Sequence, residues 1–221
     1  LIDRTGPAGA EFLGQACILP DAIRLDDDAR DTFESIVRDS DLRDSWIRVV
    51  GSLSTDSVAT SRALTRVSDL RNRHSIIEFH TAADANERFV RQARDRGIED
   101  PQPPHRVGGV VIEYKTDSTQ RLYRLWDEDN SNSNKFGEFT TTKDVVANAA
   151  SFEELQQALA APADFEYDSI ARVDVPANTR IHMSTTGQNF GRPGGSTQTR
   201  LMDRVVSDHW TEIDSLTEVG E

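Results

Sequence analysis

Residues 187–198 read Gly-Gln-Asn-Phe-Gly-Arg-Pro-Gly-Gly-Ser-Thr-Gln. A run holding four glycines and a proline can be neither regular helix nor regular strand, so the backbone is shaped there and delivers one polar amide, Gln198, from its end. That pattern is the strongest mark of a site in the chain. The other chemistry-bearing residues are scattered. His74, His80, His105, His182 and His209 stand singly, none at helical or hairpin spacing to another ligand, so no metal site is expected and His80 and His182 read as ordinary strand residues. Gly108-Gly109 lacks the Lys-Ser/Thr that a phosphate loop requires, and no Gly-x-Ser-x-Gly occurs. Asp26-Asp27-Asp28 lacks the glycine and closing Glu of a calcium loop and reads as the acidic first turn of a helix.

The residues that must carry such a site belong to a chain of 221 residues, 36% of them hydrophobic, with no apolar run long enough to span a membrane. This length buries one good core, with room for a small appended subdomain. Cys17 is the single cysteine, which excludes an intrachain disulfide and a thiolate metal cluster. The net charge of −13 repels phosphate backbones, and the arginines are interspersed with aspartates, so nucleic acid is not an expected partner. The chain opens on Leu1 with no basic region followed by an apolar run, and we read it as a domain excised from a longer protein.

Two kinds of periodicity divide the sequence. Residues 28–38, 55–70 and 83–96 place apolar residues on one helical face, and 75–80 alternates like a strand. Pro101, Pro103 and Pro104 then stiffen the backbone, which sets the expected boundary between a mainly helical region over 1–100 and a β-rich domain over 101–221. Short strands are expected at 107–114, 121–126, 170–175, 179–183 and 197–206. Ser151-Phe-Glu-Glu154 is a capping box that opens a short helix ending before Pro162, and the polar run 127–135 is expected to be a mobile surface loop. The fold class is therefore α+β.

The stretch Val175-Pro176-Ala177-Asn178-Thr179, followed by Phe190-Gly191-Arg192-Pro193-Gly194-Gly195-Ser196-Thr197-Gln198, resembles the tuberculosis necrotizing toxin family. Ser196 stands where that family prefers a third glycine, and the match covers about a tenth of the chain. The resemblance implies an ADP-ribosyltransferase-like core and hydrolysis of NAD or NADP to nicotinamide, with Gln198 catalytic and no further cofactor. The wider architecture of such enzymes implies an arginine strand, a hydroxyl-bearing strand and a glutamine strand in that order. Tyr123-Arg124 and Thr140-Thr141-Thr142 supply the first two, and Phe190, Gly191, Gly194 and Gly195 would line the dinucleotide. Arg4, in Ile2-Asp3-Arg4-Thr5-Gly6, is a second candidate for the arginine and ranks below Arg124.

Cleaving the nicotinamide–ribose bond passes through an oxocarbenium-like sugar, so the site must clamp the pyrophosphate, orient the ribose and place an acceptor beside its hydroxyl. Under the resemblance Arg124 clamps, the threonines orient, and Gln198 accepts while its amide nitrogen positions a water. A glutamine in place of glutamate favours water as acceptor. The alternatives are transfer of ADP-ribose to a macromolecule and a noncatalytic module whose glycine loop grips a protein partner. The family also implies secretion within a larger protein, action in a target cell's cytoplasm and a cognate immunity protein.

Overall fold

A computed structural model describes residues 27–52, 57–129, 133–163, 165–213 and 215–219. Arg4 and Cys17 lie outside the described residues. Three helices come first, α1 (Asp27–Arg38), α2 (Ser40–Ser52) and α3 (Ser57–Arg71), then β1 (His74–Thr81) and α4 (Ala82–Asp95). Helix α2 is unassigned by the sequence reading, although Leu42, Trp46 and Val49 recur at helical spacing. Asp39 starts it, its Oδ1 accepting from the amides of Asp41 and Leu42. Helix α4 is capped by Thr81, whose hydroxyl accepts from the Asp84 amide at 3.0 Å.

The second half supplies β2 (Val110–Thr116), β3 (Gln120–Trp126), β4 (Phe139–Thr140), α5 (Lys143–Ala147), α6 (Phe152–Ala158), β5 (Ser169–Val175), β6 (Arg180–Thr185), β7 (Thr197–Leu201) and β8 (Trp210–Ile213). Strand β2 begins three residues later than the sequence pattern suggests, because Gly108 turns with φ +73° just before it. The capping box of α6 forms with one change. Ser151 Oγ accepts from the Glu154 amide at 3.2 Å, but Glu154 reaches back to the amide of Ala150 rather than that of Ser151. The polar run after β3 is anchored at both described ends. Asp127 is buried, takes the amides of Asp129 and Glu166 on its carboxylate, and donates its own amide to Ser133 Oγ.

The chain is α+β with antiparallel sheets. One sheet runs β1-β2-β6-β7-β4 and the other β3-β5-β8. Thr141 joins them, exchanging both backbone hydrogen bonds with Tyr123 at 2.9 and 2.7 Å. Strand β1 carries a bulge between Ile76 and Glu78. Because side chains alternate along each strand, the five-stranded sheet has two different faces. Phe79, Ile112, Tyr114, Ile181, Met183 and Leu201 line the one covered by α1–α3, where Trp46 meets Phe79 edge-on with ring centroids 5.0 Å apart. Strands β3 and β5 are buried on both sides: Leu122 and Val173 join this first cluster, whereas Tyr123, Leu125 and Ile170 join a second around Leu155 and Val146.

The first cluster draws on residues from Ile36 to Trp210, so residues on both sides of Asp100–Pro104 share it. That segment joins α4 to β2 within a common core. Trp46 is 1% exposed, and Trp46→Ala is expected to cost about 3–5 kcal/mol in chemical denaturation, read as one transition in which helix and sheet signals are lost together.

Candidate functional site

The second face of the five-stranded sheet is polar and buried. Register sets its pattern: Glu113 lies opposite His182, His182 opposite Arg200, and Ser184 opposite Gln198. His80, from β1, alternates onto the same side and reaches Glu113. The Nε2 atoms of His80 and His182 stand 2.9 and 3.2 Å from one Glu113 oxygen, Oε2, and the two imidazole rings are 5.4 Å apart. Both histidines are buried and Glu113 nearly so. The hydrogen bonds from His182 and His80 hold the Glu113 carboxyl well below the usual carboxylate range. Burial outweighs that carboxylate at His182 and holds its pKa below the ordinary histidine value. Since an ionised carboxylate only accepts, each imidazole donates from Nε2, which leaves His182 Nδ1 as a buried atom with no hydrogen-bond partner.

These three side chains correct the expectation that the histidines stand apart. Their clustering comes from strand pairing across 33 and 69 residues of sequence, and no local spacing could reveal it. His105 is the other residue that the sequence leaves unplaced. Asn86 of α4 grips its backbone from both sides, donating to the His105 carbonyl and accepting from its amide, each at 2.9 Å. The proline segment is thereby laid against the end of β6, where Gly187 donates to the Pro104 carbonyl and Arg106 to that of Thr185. His105 Nδ1 then sits 2.7 Å from Ser184 Oγ, with Nε2 buried and without a partner. Burial, with smaller contributions from His182 and Arg200, pushes the His105 pKa down to about 3. Among the described residues His105 Nε2 has no carboxylate or other partner to orient it, so the pair lacks the third member of a nucleophile–base–acid triad.

Gln198 is the second residue of β7, 7% exposed, and its Nε2 has no hydrogen-bond partner. Such an atom costs about 1–3 kcal/mol unless something else satisfies it. Thr141 closes one side, its hydroxyl donating to the Thr197 carbonyl at 2.6 Å. Thr140 turns the other way and pairs with Thr199 through hydroxyls 2.7 Å apart. Thr142 starts α5 without a side-chain cap. Tyr123 is buried, and its backbone pairing with Thr141 puts β3, β4 and β7 side by side.

Arg124 does not join this group. It alternates onto the side of β3 that carries Leu122 and Trp126, opposite to the side of Gln198. Its Nε and Nη1 each donate at 2.8 Å to the carbonyls of Asn134 and Phe139, and its guanidinium lies where a Cβ on Gly137 would fall. Arg200 is on the Gln198 side but is paired with Glu138 at 2.9 Å, bonded to Gln92, and stacked over Phe89. Arg66 of α3 differs from both. It donates to Thr185 and Thr197, the residues flanking Ser184 and Gln198, at 3.0 and 3.1 Å, and pairs with no carboxylate among the described residues. Burial and the neighbouring Arg62 lower its pKa to about 10.

The glycine turn is used differently from the expected dinucleotide cradle. Gly191, Gly194 and Gly195 all have positive φ, as does Phe190, which is exposed at the turn. A Cβ on Gly194 would fall 2.3 Å from the Gly187 carbonyl oxygen, so only glycine fits. The amides of Gly194 and Ser196 donate to the carbonyls of Gln157 and Ala158, and that of Gly195 to Thr186. These donors fasten the turn to α6 and β6. Among the described residues no helix is long and apolar enough to cross a membrane. No family model, curated protein or solved structure matches this chain.

Because the folded pKa of His105 is lowered, its neutral form stabilises the protein fully above the unfolded value near 6.5, and that stability is lost as pH falls from there toward 3. Between pH 7 and pH 5 the loss from His105 is about 2 kcal/mol, with His182 and His74 acting in the same direction. Denaturation over this range should show it, and His105→Gln should flatten the slope.

Proposed function

We propose that the chain is a toxin-type NAD(P)+ glycohydrolase with an ADP-ribosyltransferase-like core, in which Gln198 acts on the nicotinamide ribose. The observation that carries this reading is the lateral order of three strands. The Tyr123 strand, the Thr141 strand and the Gln198 strand lie next to one another in the order that the resemblance implies, and the Gln198 amide is buried with its nitrogen unpaired. In the reaction the bond between ribose C1′ and the pyridinium nitrogen breaks and its electron pair leaves with neutral nicotinamide. Water adds to C1′ and gives up a proton. Gln198 accepts from a ribose hydroxyl and holds the water with its amide nitrogen, a positioning role that needs no ionisable group.

None of the three arginines around these strands is both on the Gln198 face and free of a carboxylate, so this reading assigns the phosphate clamp to none of them. Of the three arginines around these strands, Arg200 is neutralised by Glu138 and Arg124 is spent on backbone carbonyls. Arg66 keeps a charge that no described carboxylate offsets, but Thr185 and Thr197 alternate onto the face covered by α1–α3, opposite to Gln198. The acidic surface suits a cytosolic toxin with a basic immunity partner, carried within a longer secreted chain.

Release of free nicotinamide from NAD or NADP by the purified chain tests the proposal. Gln198→Ala should reduce turnover by at least about 100-fold with the melting temperature little changed. Absence of release by the wild type, or undiminished release by Gln198→Ala, overturns it. Label from ADP-ribose retained on a lysate protein would identify a transferase instead.

A further inference from the structure

We infer that His80, Glu113 and His182 form a binding site for one divalent transition-metal ion of the zinc class, with a fourth position open to water or a ligand. The three side chains come from β1, β2 and β6, consecutive strands of one antiparallel sheet, and project from the same face. Their ligand atoms all lie within 4.8 Å of one another. Glu113 Oε2 is 2.9 Å from one Nε2 and 3.2 Å from the other. Tetrahedral zinc with bonds of about 2.0–2.1 Å separates neighbouring ligand atoms by about 3.3 Å. The two Glu113 contacts need to open by only a few tenths of an ångström, and the strands that hold the three side chains are fixed by ladder hydrogen bonds.

The donor set selects the ion. Two imidazoles and one carboxylate favour zinc, cobalt or ferrous iron over magnesium and calcium, which prefer oxygen throughout. Binding changes the tautomer of both rings and gives the proton of one of them, His80, a carboxylate to face. Two neutral imidazoles converge on one oxygen, and His182 Nδ1 is buried with no partner. Metal on Nε2 requires the proton to move to Nδ1 in each ring, so the imidazoles change tautomer with no net proton released. His80 Nδ1 then faces Glu78 Oε1 at 3.9 Å, the outer carboxylate that such ligands commonly use. Arg180, 3.9 Å from Glu113 Oε1, offsets part of the attraction. With three protein ligands, the ion keeps an open position on the Gln198 side of the sheet.

This inference does not depend on the NAD reading, because metal binding and nicotinamide release are measured separately. Metal-stripped full chain is titrated with Zn2+ against a chromogenic chelator and with Co2+ in the visible range. One zinc per chain and the intense absorption of four-coordinate cobalt are expected. His182→Ala and Glu113→Gln should each weaken zinc binding by about 100-fold or more, while His209→Gln binds as the wild type does. Failure of the wild type to take up one equivalent, an octahedral cobalt spectrum, or full binding by either folded variant overturns the inference. Should the variants fail to fold, the stoichiometry and cobalt spectrum of the wild type decide.

Discussion

The antiparallel register of β2, β6 and β7 is the constraint on which the molecule turns. Strand pairing fixes Glu113 opposite His182, His182 opposite Arg200, and Ser184 opposite Gln198. A slip of one residue in any of these strands would exchange its two faces, burying Glu113 or Arg200 beside Trp46 and moving Ile112 or Ile181 onto the polar face. Burial of the apolar face thus holds the polar face in line. The energy that aligns the site is spent on the other side of the sheet.

The polar face is itself costly. It buries three histidines, a glutamate, an arginine and a glutamine, and leaves atoms of His105, His182 and Gln198 without partners. The helices α1–α3 and the doubly buried strands β3 and β5 supply the apolar burial that offsets this cost. The segment leading from Asp100 to His105 is fastened beside the site. Prolines there hold the chain extended, and the carbonyls of Pro103, Pro104 and His105 are taken by Asn189, Gly187 and Asn86.

Much of the secondary structure was legible because it follows local patterns. The face of Phe89 and Ala93 marks α4, and alternation in 75–80 marks β1. The shaped loop before Gln198 was also legible, since four glycines and a proline could form neither helix nor strand. The His80, Glu113 and His182 group was not, because these residues meet only through β1–β2 and β2–β6 pairing, and sequence spacing carries no trace of it. Arg124 shows the opposite failure. One residue of alternation decides which side of a strand a side chain takes, and Arg124 lies on the side of Leu122 and Trp126, away from Gln198.

The bulge in β1 has a consequence for how the molecule behaves among its own copies. Among the described residues β1 pairs on one side only, and it is the outermost strand of the larger sheet. An even ladder at such a margin would invite another chain to add on. The irregularity between Ile76 and Glu78, with Ile77 left partly exposed beside it, spoils the repeat an incoming strand would need to match. A protein holding so many polar groups inside its sheet is thus kept from extending that sheet outward.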